Sequence, residues 1–400
     1  MPASVFAAVE MAPRDPILGL TESFNADTRA ARVNLGVGVY LDDSGKVPLL
    51  AAVKQAEKAR LETLPARGYQ PIDGLPAYNQ AVQKLLFGAE STLLEEGRVL
   101  TIEALGGTGA LKVGADYLRR LLPEAKVFIS DPSWENHRAL FEYAGFTVGT
   151  YPYYDPATRG VDFAAMQAGL NALPAGSIVL LHACCHNPTG ADLDAAQWGQ
   201  VIDVLGARRL VPFIDMAYQG FADGILEDAL ALRLFAASGL QFFVASSFSK
   251  SFSLYGERVG ALSVVTATSD ESARVMSQIK RVIRTNYSSP PTHGGAVVAA
   301  VLSSPELYRM WQDELGEMRE RIRSMRASLV DRLAGKGLGQ EFSFIVRQRG
   351  MFSYTGLSVG QVERMRDEYG IYAVNTGRIC IAALNTGNID YVAEAISAVL

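Results

Sequence analysis

The sequence predicts an α/β protein: a large domain with a mostly parallel sheet flanked by helices, plus a smaller α+β domain. Short apolar runs alternate with amphipathic stretches at the spacing of strand–helix–strand units, about 30 residues each. The runs are apolar throughout rather than alternating, which fits strands buried on both faces, as in parallel sheets. Toward the C-terminus this rhythm gives way to one long charged helix and a few short strand-like pieces.

In chain order, the candidate strands are Lys126–Ser130 (KVFIS), Ser177–Ala183 (SIVLLHA), Leu210–Asp215 (LVPFID), Gln241–Ser246 (QFFVAS) and Ala261–Thr266 (ALSVVT). Helical patterns fill Asp194–Leu205 and Asp228–Ala237, so right-handed crossovers are expected. Pro305–Leu333 reads as one helix with apolar positions near helical spacing, closed by a turn at Gly335–Gly339. FSFIV (Phe342–Val346) and RICIAAL (Arg378–Leu384) are strand-like and flank a helix at Val359–Glu368. The N-terminal segment is expected to join this second unit in space. The division is an N-terminal arm and part of the small domain over 1–46, a large domain over 47–317, and a C-terminal small domain over 318–400.

With 400 residues, 49% hydrophobic and 20% charged, the chain can bury a core without disulfide or metal staples. Its net charge of −5 argues against a nucleic-acid partner, which demands a basic face. Three cysteines, two of them adjacent (Cys184, Cys185), make no disulfide framework and suit a reducing, cytoplasmic setting. The first residues lack a basic segment and carry Glu10, unlike a signal peptide. No apolar stretch reaches membrane-spanning length, so no membrane partner is expected.

The chemistry starts with a count. The chain has 9 lysines against 28 arginines, and Lys250 is the one lysine between Lys126 and Lys280. Arginine stays protonated, whereas a lysine amine can lose its proton and form an imine. An isolated lysine is ordinarily a solvated loop residue. In SSFSKSFSLYGERVG, however, Lys250 follows an apolar strand, sits among serines and has Arg258 nearby, which is the chemistry of an anion site. LVPFIDMAYQGF puts Asp215 at the carboxyl end of a strand, the edge where open parallel sheets bind ligands. An acid there can equally be a helix cap. Tyr218 follows three residues on. In GGTGALKVGADYLRRLL, Gly106, Gly107, Thr108 and Gly109 begin a helical run, and free N–H groups at a helix start favour phosphate. The spacing matches neither a Walker A loop nor GxGxxG.

LLHACCHNPTG ends a further strand in a turn that carries Asn187. A zinc reading of His182, Cys184, Cys185 and His186 is set aside, because neighbouring strand residues point to opposite faces. Lysine, acid, amide, tyrosine, glycine-rich helix start and arginine thus converge on one sheet edge. They describe an aromatic, phosphorylated, nitrogen-containing aldehyde bound through lysine, for which pyridoxal 5′-phosphate fits.

On the motifs HNPTG, SSFSKSF, ERVGA and NYSSPP, the chain resembles the fold-type I, class I aminotransferases of the aspartate and aromatic amino acid subgroup. The likeness runs from VNLGVGVY to GRICIAAL, nearly the whole chain. It makes 47–317 the cofactor-binding domain. It implies Lys250 as the attachment lysine, Asp215 as partner of the ring nitrogen, Asn187 and Tyr218 on the 3′ oxygen, and Trp134 against the ring. Gly107, Thr108, Ser247 and Arg258 would hold phosphate, with Tyr69 reaching in from a second copy of a homodimer. Arg378 would bind the substrate α-carboxylate, with Gly38, Trp134 and Asn187 beside it, and Arg284 of the second copy a distal carboxylate. The implied reaction is ping-pong transfer of an amino group to 2-oxoglutarate.

Several positions depart from the aspartate-selective pattern. Leu41, Val47, Gly68 and Ser289 are apolar or small where such relatives are polar, Cys380 replaces an asparagine, and Glu135 follows Trp134 where proline is common. The expectation is therefore an aromatic amino acid aminotransferase that also takes aspartate and glutamate, with an aspartate aminotransferase as the alternative. Other uses of the fold fit less well. A DNA-binding regulator would need a basic module before Val33, and a lyase or decarboxylase has no need of paired Arg284 and Arg378.

Overall fold

The structure, a computed structural model, describes residues 4–15, 17–63, 65–66 and 68–400. Its centre is a seven-stranded sheet made of β1 (Val99–Leu105), β2 (Val127–Asp131), β3 (Val148–Pro152), β4 (Ile178–His182), β5 (Val211–Met216), β6 (Phe242–Ser247) and β7 (Val259–Val265). The order across the sheet is β1-β7-β6-β5-β4-β2-β3. β2 to β6 pair in parallel, and β7 runs antiparallel to both of its neighbours.

Continuous apolarity has the expected cause. Val179 and Leu181 of β4 enter one hydrophobic cluster, while Ile178 and Leu180 enter the other. Successive side chains leave opposite faces, so a strand covered on both sides is apolar at every position. The principal helices are α1 (Leu18–Ala26), α2 (Gly106–Leu121), α3 (Glu135–Tyr143), α4 (Ala195–Ala207), α5 (Ser269–Asn286) and α6 (Pro305–Ala334). α4 begins in a capping box between Asp194 and Gln197, which satisfies N–H groups at its start. α2 lies close on the sheet at Gly114, where a Cβ would stand 2.5 Å from Phe213 Cζ.

Beyond the sheet, Val33–Asn34 pairs in parallel with Ile371–Tyr372, and Phe352–Tyr354 pairs antiparallel with Arg378–Cys380. Sequences distant along the chain thus meet in one small unit, packed with the far half of α6 and the helix Ile389–Val399.

Three expectations need correction. β1 and β3 were not among the expected strands. β1 holds Thr101 and Glu103, polar residues that are buried, and Thr101 is paired at 2.8 Å with Ser263 of β7. FSFIV is helical: Gly339–Phe342 is a helical turn and Ser343–Arg347 a 3-10 turn. Short apolar runs do not separate strand from buried helix by periodicity, and the strand of this region is Phe352–Tyr354. The face argument for Cys184 and Cys185 also fails. β4 ends at His182, Cys185 has φ +52°, and both thiols approach an oxygen of Asp228 within 4.8 Å. Asp228 accepts four backbone N–H groups there, from Gly220, Ala222, Asp223 and Gly224. The hydrogen bond that Cys184 donates to Cys185, together with burial, raises the Cys184 thiol well above its ordinary value, and burial lifts Cys185 to about 11, so neither is a ready thiolate ligand.

Candidate active site

Sheet topology decides where the site lies. The chain runs outward from β2 to β3, then returns to place β4 on the other side of β2. Crevices at such reversals, beyond the carboxyl ends of the strands, are where open sheets bind ligands. A cavity of about 220 Å³ opens there. Its walls include Gly38, Gly107, Thr108, Trp134, Asn187, Asp215, Tyr218, Ser247, Lys250 and Arg258. Arg378 joins through an adjoining cavity that shares Gly38, Thr108, Trp134, Asn187, Tyr218, Lys250 and Arg258.

Lys250 follows the C-terminal end of β6, with Nζ 4.6 Å from the centre of the Tyr218 ring. Burial pulls its pKa down to about 8 against the pull of Asp215, and the charges of Arg258 and Arg378 act in the same downward direction. Asp215 is buried, which on its own would raise its carboxyl. A hydrogen bond at 3.0 Å from His137 and the charge of Lys250 outweigh burial and hold it below its ordinary value. Ser133 contacts the other nitrogen of His137 at 2.9 Å. Burial drives His182 down to about 3, so it stands neutral in this stack.

At the opposite wall, α2 begins against β6. A Cβ on Gly107 would stand 3.1 Å from Ser247 Cβ, and one on Gly106 would meet Arg258 Nη2 at 2.5 Å. Glycine here lets the free N–H groups of the helix start, Ser247 and Arg258 crowd one spot. Arg258 donates to neutral oxygens, Ser249 Oγ and the Tyr255 carbonyl, both at 3.2 Å. Its charge remains available to an anion.

Arg378 is 1% exposed. It donates to Asn187 Oδ1 at 2.9 Å and to the Gly36 carbonyl at 2.6 Å, and its guanidinium lies 4.3 Å from the centre of the Phe352 ring. Its Nε is buried without a hydrogen-bond partner among the described residues. A buried cation with only neutral partners and one idle donor is costly unless an anion arrives. Gly38 stands where a Cβ would strike Phe352 Cζ at 2.6 Å, which keeps this ring over Arg378.

Two expected residues stand apart. Tyr69 is fully exposed. Arg284, exposed at the end of α5, donates to the Ser288 hydroxyl. Neither lines either cavity. Sequence reasoning missed His137, which bonds Asp215, along with Tyr255 on the wall and Ile17, Leu18 and Phe352 at the mouth, and it weighed His182 only as a metal ligand. One signal existed: the chain has 4 histidines, and the scarcity argument applied to lysine could have been applied to them.

Comparison with known proteins agrees with this geometry. The family model described as aminotransferase class I and II matches residues 31–396. An aspartate aminotransferase of Pseudomonas aeruginosa is 67% identical over 397 residues, covering 99% of this chain and all of the relative. An aromatic-amino-acid aminotransferase of Escherichia coli is 52% identical over 398 residues, with 99% and 100% covered. The crystal structure of an aromatic-amino-acid aminotransferase from Burkholderia pseudomallei, covalently bound to pyridoxal phosphate, superposes with a TM-score of 0.97 at 67% identity over the full length of both chains. A match of this extent, on a sheet edge that joins an isolated lysine to a buried acid and a buried arginine, places the chain in the class I and II aminotransferase family.

Proposed function

We propose that this protein is a pyridoxal-phosphate-dependent aminotransferase that moves the amino group of phenylalanine and tyrosine, and also of aspartate and glutamate, to 2-oxoglutarate. The observation that carries this reading is Arg378, a buried guanidinium with an idle Nε, in a cavity shared with a lysine held near neutrality. The residues present suit the cofactor: an uncompensated Arg258 and a glycine-cleared helix start for phosphate, and a buried acid for a ring nitrogen.

When bound, the cofactor supplies a protonated aromatic ring that accepts the electron pair left as the substrate Cα loses its proton. Asp215, kept ionised by His137, would hold the ring nitrogen's proton. Asn187 and Tyr218 would hold the 3′ oxygen, Trp134 would cover the ring, and Gly107, Thr108, Ser247 and Arg258 would hold phosphate, with Tyr69 of a second copy. Arg378 would fix the α-carboxylate with two N–H groups, which orients the Cα–H bond toward Lys250. Lys250 Nζ, with its pKa held near 8, would take that proton and hold it at Nζ for the return transfer. Arg284 of the second copy would meet a distal carboxylate.

Aromatic substrates are supported by the mouth of the site, where Ile17, Leu18, Trp134 and Phe352 offer apolar surface beside Arg378. Burying a phenyl side chain there returns on the order of 2–3 kcal/mol, which offsets part of a missing ion pair. In the shared site that the resemblance implies, Leu41, Val47, Gly68 and Ser289 would give Arg284 of the second copy fewer polar neighbours, so that it could turn aside. Two relatives at 67% identity, one an aspartate and one an aromatic-amino-acid aminotransferase, keep aspartate aminotransferase as the second reading. Half-reaction rates on one preparation separate the two. Catalytic efficiencies for phenylalanine and aspartate should lie within roughly a hundredfold, about 2.8 kcal/mol, and Arg284→Leu should depress aspartate far more. A preference for aspartate above about ten-thousandfold, 5.5 kcal/mol, selects the aspartate reading. We place the enzyme in the cytoplasm on its three buried free thiols. Among the described residues no helix is long and apolar enough to cross a membrane.

A further inference from the structure

Beside α6 lies a concentration of positive charge that the proposed reaction does not use. A cavity of about 490 Å³ is lined by Asp223 from the loop after β5, Arg323 and Arg326 from α6, and Arg347 and Arg349 from the segment beyond. Its size falls within the range of small-ligand pockets, roughly 300–1,000 Å³.

The charges there do not balance. Arg323 donates to Asp223 at 2.9 Å and to Glu320 at 2.8 Å, and Arg349 shares Asp223. These two carboxylates pair with Arg323 and Arg349, and the buried Asp192 acts on Arg349 and Arg326 from further off, so among the described residues four guanidiniums face three carboxylates. Arg326 is 3% exposed, and its terminal nitrogens donate to neutral acceptors: the carbonyls of Ile345, Gly350 and Phe352 and the Ser353 hydroxyl. Burial accordingly drags its pKa down to about 10. Arg347 makes one long contact, to the Thr158 carbonyl at 3.4 Å, and reaches no carboxylate among the described residues. Guanidinium forks crowded in a concave wall repel one another, and each presents paired N–H groups matched to an oxyanion.

We propose that this groove binds a small oxyanion carrying at least two negative charges. Arg323, Arg347 and Arg349 form its rim and Arg326 its charged floor. Di- and tricarboxylates share the recognition chemistry with phosphate compounds: oxygen pairs that accept bidentate N–H bonds. The groove lies one residue's packing from the substrate arginine, since Arg326 grips the Phe352 carbonyl at 2.6 Å and the Phe352 ring lies on Arg378.

Titration calorimetry of the cofactor-loaded enzyme with pyrophosphate, and separately with citrate, tests the assignment. Ionic strength is held fixed so that screening does not imitate binding, and loading removes the cofactor's phosphate site from competition. One saturable site per chain that persists in Arg378→Gln is expected for at least one probe, and the probe preferred there tells phosphate from carboxylate. The Arg323→Gln/Arg347→Gln double variant should weaken binding at least tenfold, and Arg378→Gln should leave it unchanged. Asp223→Asn removes the shared carboxylate and should tighten binding, which keeps the assignment testable if the double variant does not fold. Absence of saturable binding, undiminished binding in the double variant, loss in Arg378→Gln instead, or weaker binding in Asp223→Asn each overturns it.

Discussion

Lys250 and Glu103 are two ionisable residues shifted by desolvation, with opposite consequences. Lys250 loses its charge readily, which the proposed chemistry requires. Lys250→Ala should abolish the borohydride-trapped cofactor adduct and nearly all turnover, and an adduct trapped on another lysine would refute the assignment. Glu103 in β1 is 2% exposed, and burial pushes its carboxyl up to about 7 from an ordinary 4.5, with the Leu75 N–H pulling the other way. The unfolded chain releases that proton near 4.5, whereas the folded chain keeps it to about 7. Stability therefore falls as pH rises between these values and stays reduced above them. Glu103→Gln should leave stability near pH 4.5 little changed and raise it at pH 8 by on the order of 2 kcal/mol, read as a pH-dependent gain in denaturation midpoint.

At the level of elements, the proposed phosphate site depends on how closely α2 approaches β6 and β7. Gly260 of β7 makes that approach possible: a Cβ there would meet the Gly106 carbonyl carbon at 2.4 Å and the Ser246 carbonyl oxygen at 2.7 Å. Gly260→Ala should cost about 1–3 kcal/mol through overpacking and weaken cofactor retention, measured by thermal melting and by dialysis against cofactor-free buffer. Gly199 in α4 is the contrasting case, because a Cβ there meets nothing within 4 Å. Gly199→Ala should add about 0.5–1 kcal/mol through helix propensity and leave cofactor retention alone. The two variants separate close packing from backbone entropy.

For the molecule as a whole, the proposed site is incomplete in one chain, since Tyr69 and Arg284 line neither cavity. A two-fold dimer would bring them in from a second copy. Lys250→Ala and Arg284→Asp should each be inactive toward a dicarboxylate donor. Random subunit exchange should restore about one quarter of the wild-type sites, because half of the dimers are mixed and each has one intact site. Mixed dimers that form and remain inactive would end the shared-site proposal.

The parallel sheet was legible in sequence because burial on both faces favours unbroken apolar runs, and β4, β5 and β6 open on such runs at Ile178–Leu181, Val211–Ile214 and Phe242–Ala245 before their polar carboxyl ends. Lys250, Asp215, Asn187 and the glycines before α2 were legible because reactivity is a property of residue type, and because each stands at the end of an apolar run. β1 was hidden by Thr101 and Glu103, whose partners or burial arise only when distant strands meet. The helical state of FSFIV was hidden because an apolar run of that length packs equally well in either form, and its surroundings chose. His137 on Asp215, Phe352 over Arg378 and the arginine groove beside α6 depend on residues tens to hundreds of positions apart. The sequence by itself determined the apolar central strands and the chemical groups. Tertiary structure alone decided which groups lose their water and which charges face one another, since desolvation and Coulomb energy depend on distance in space rather than along the chain.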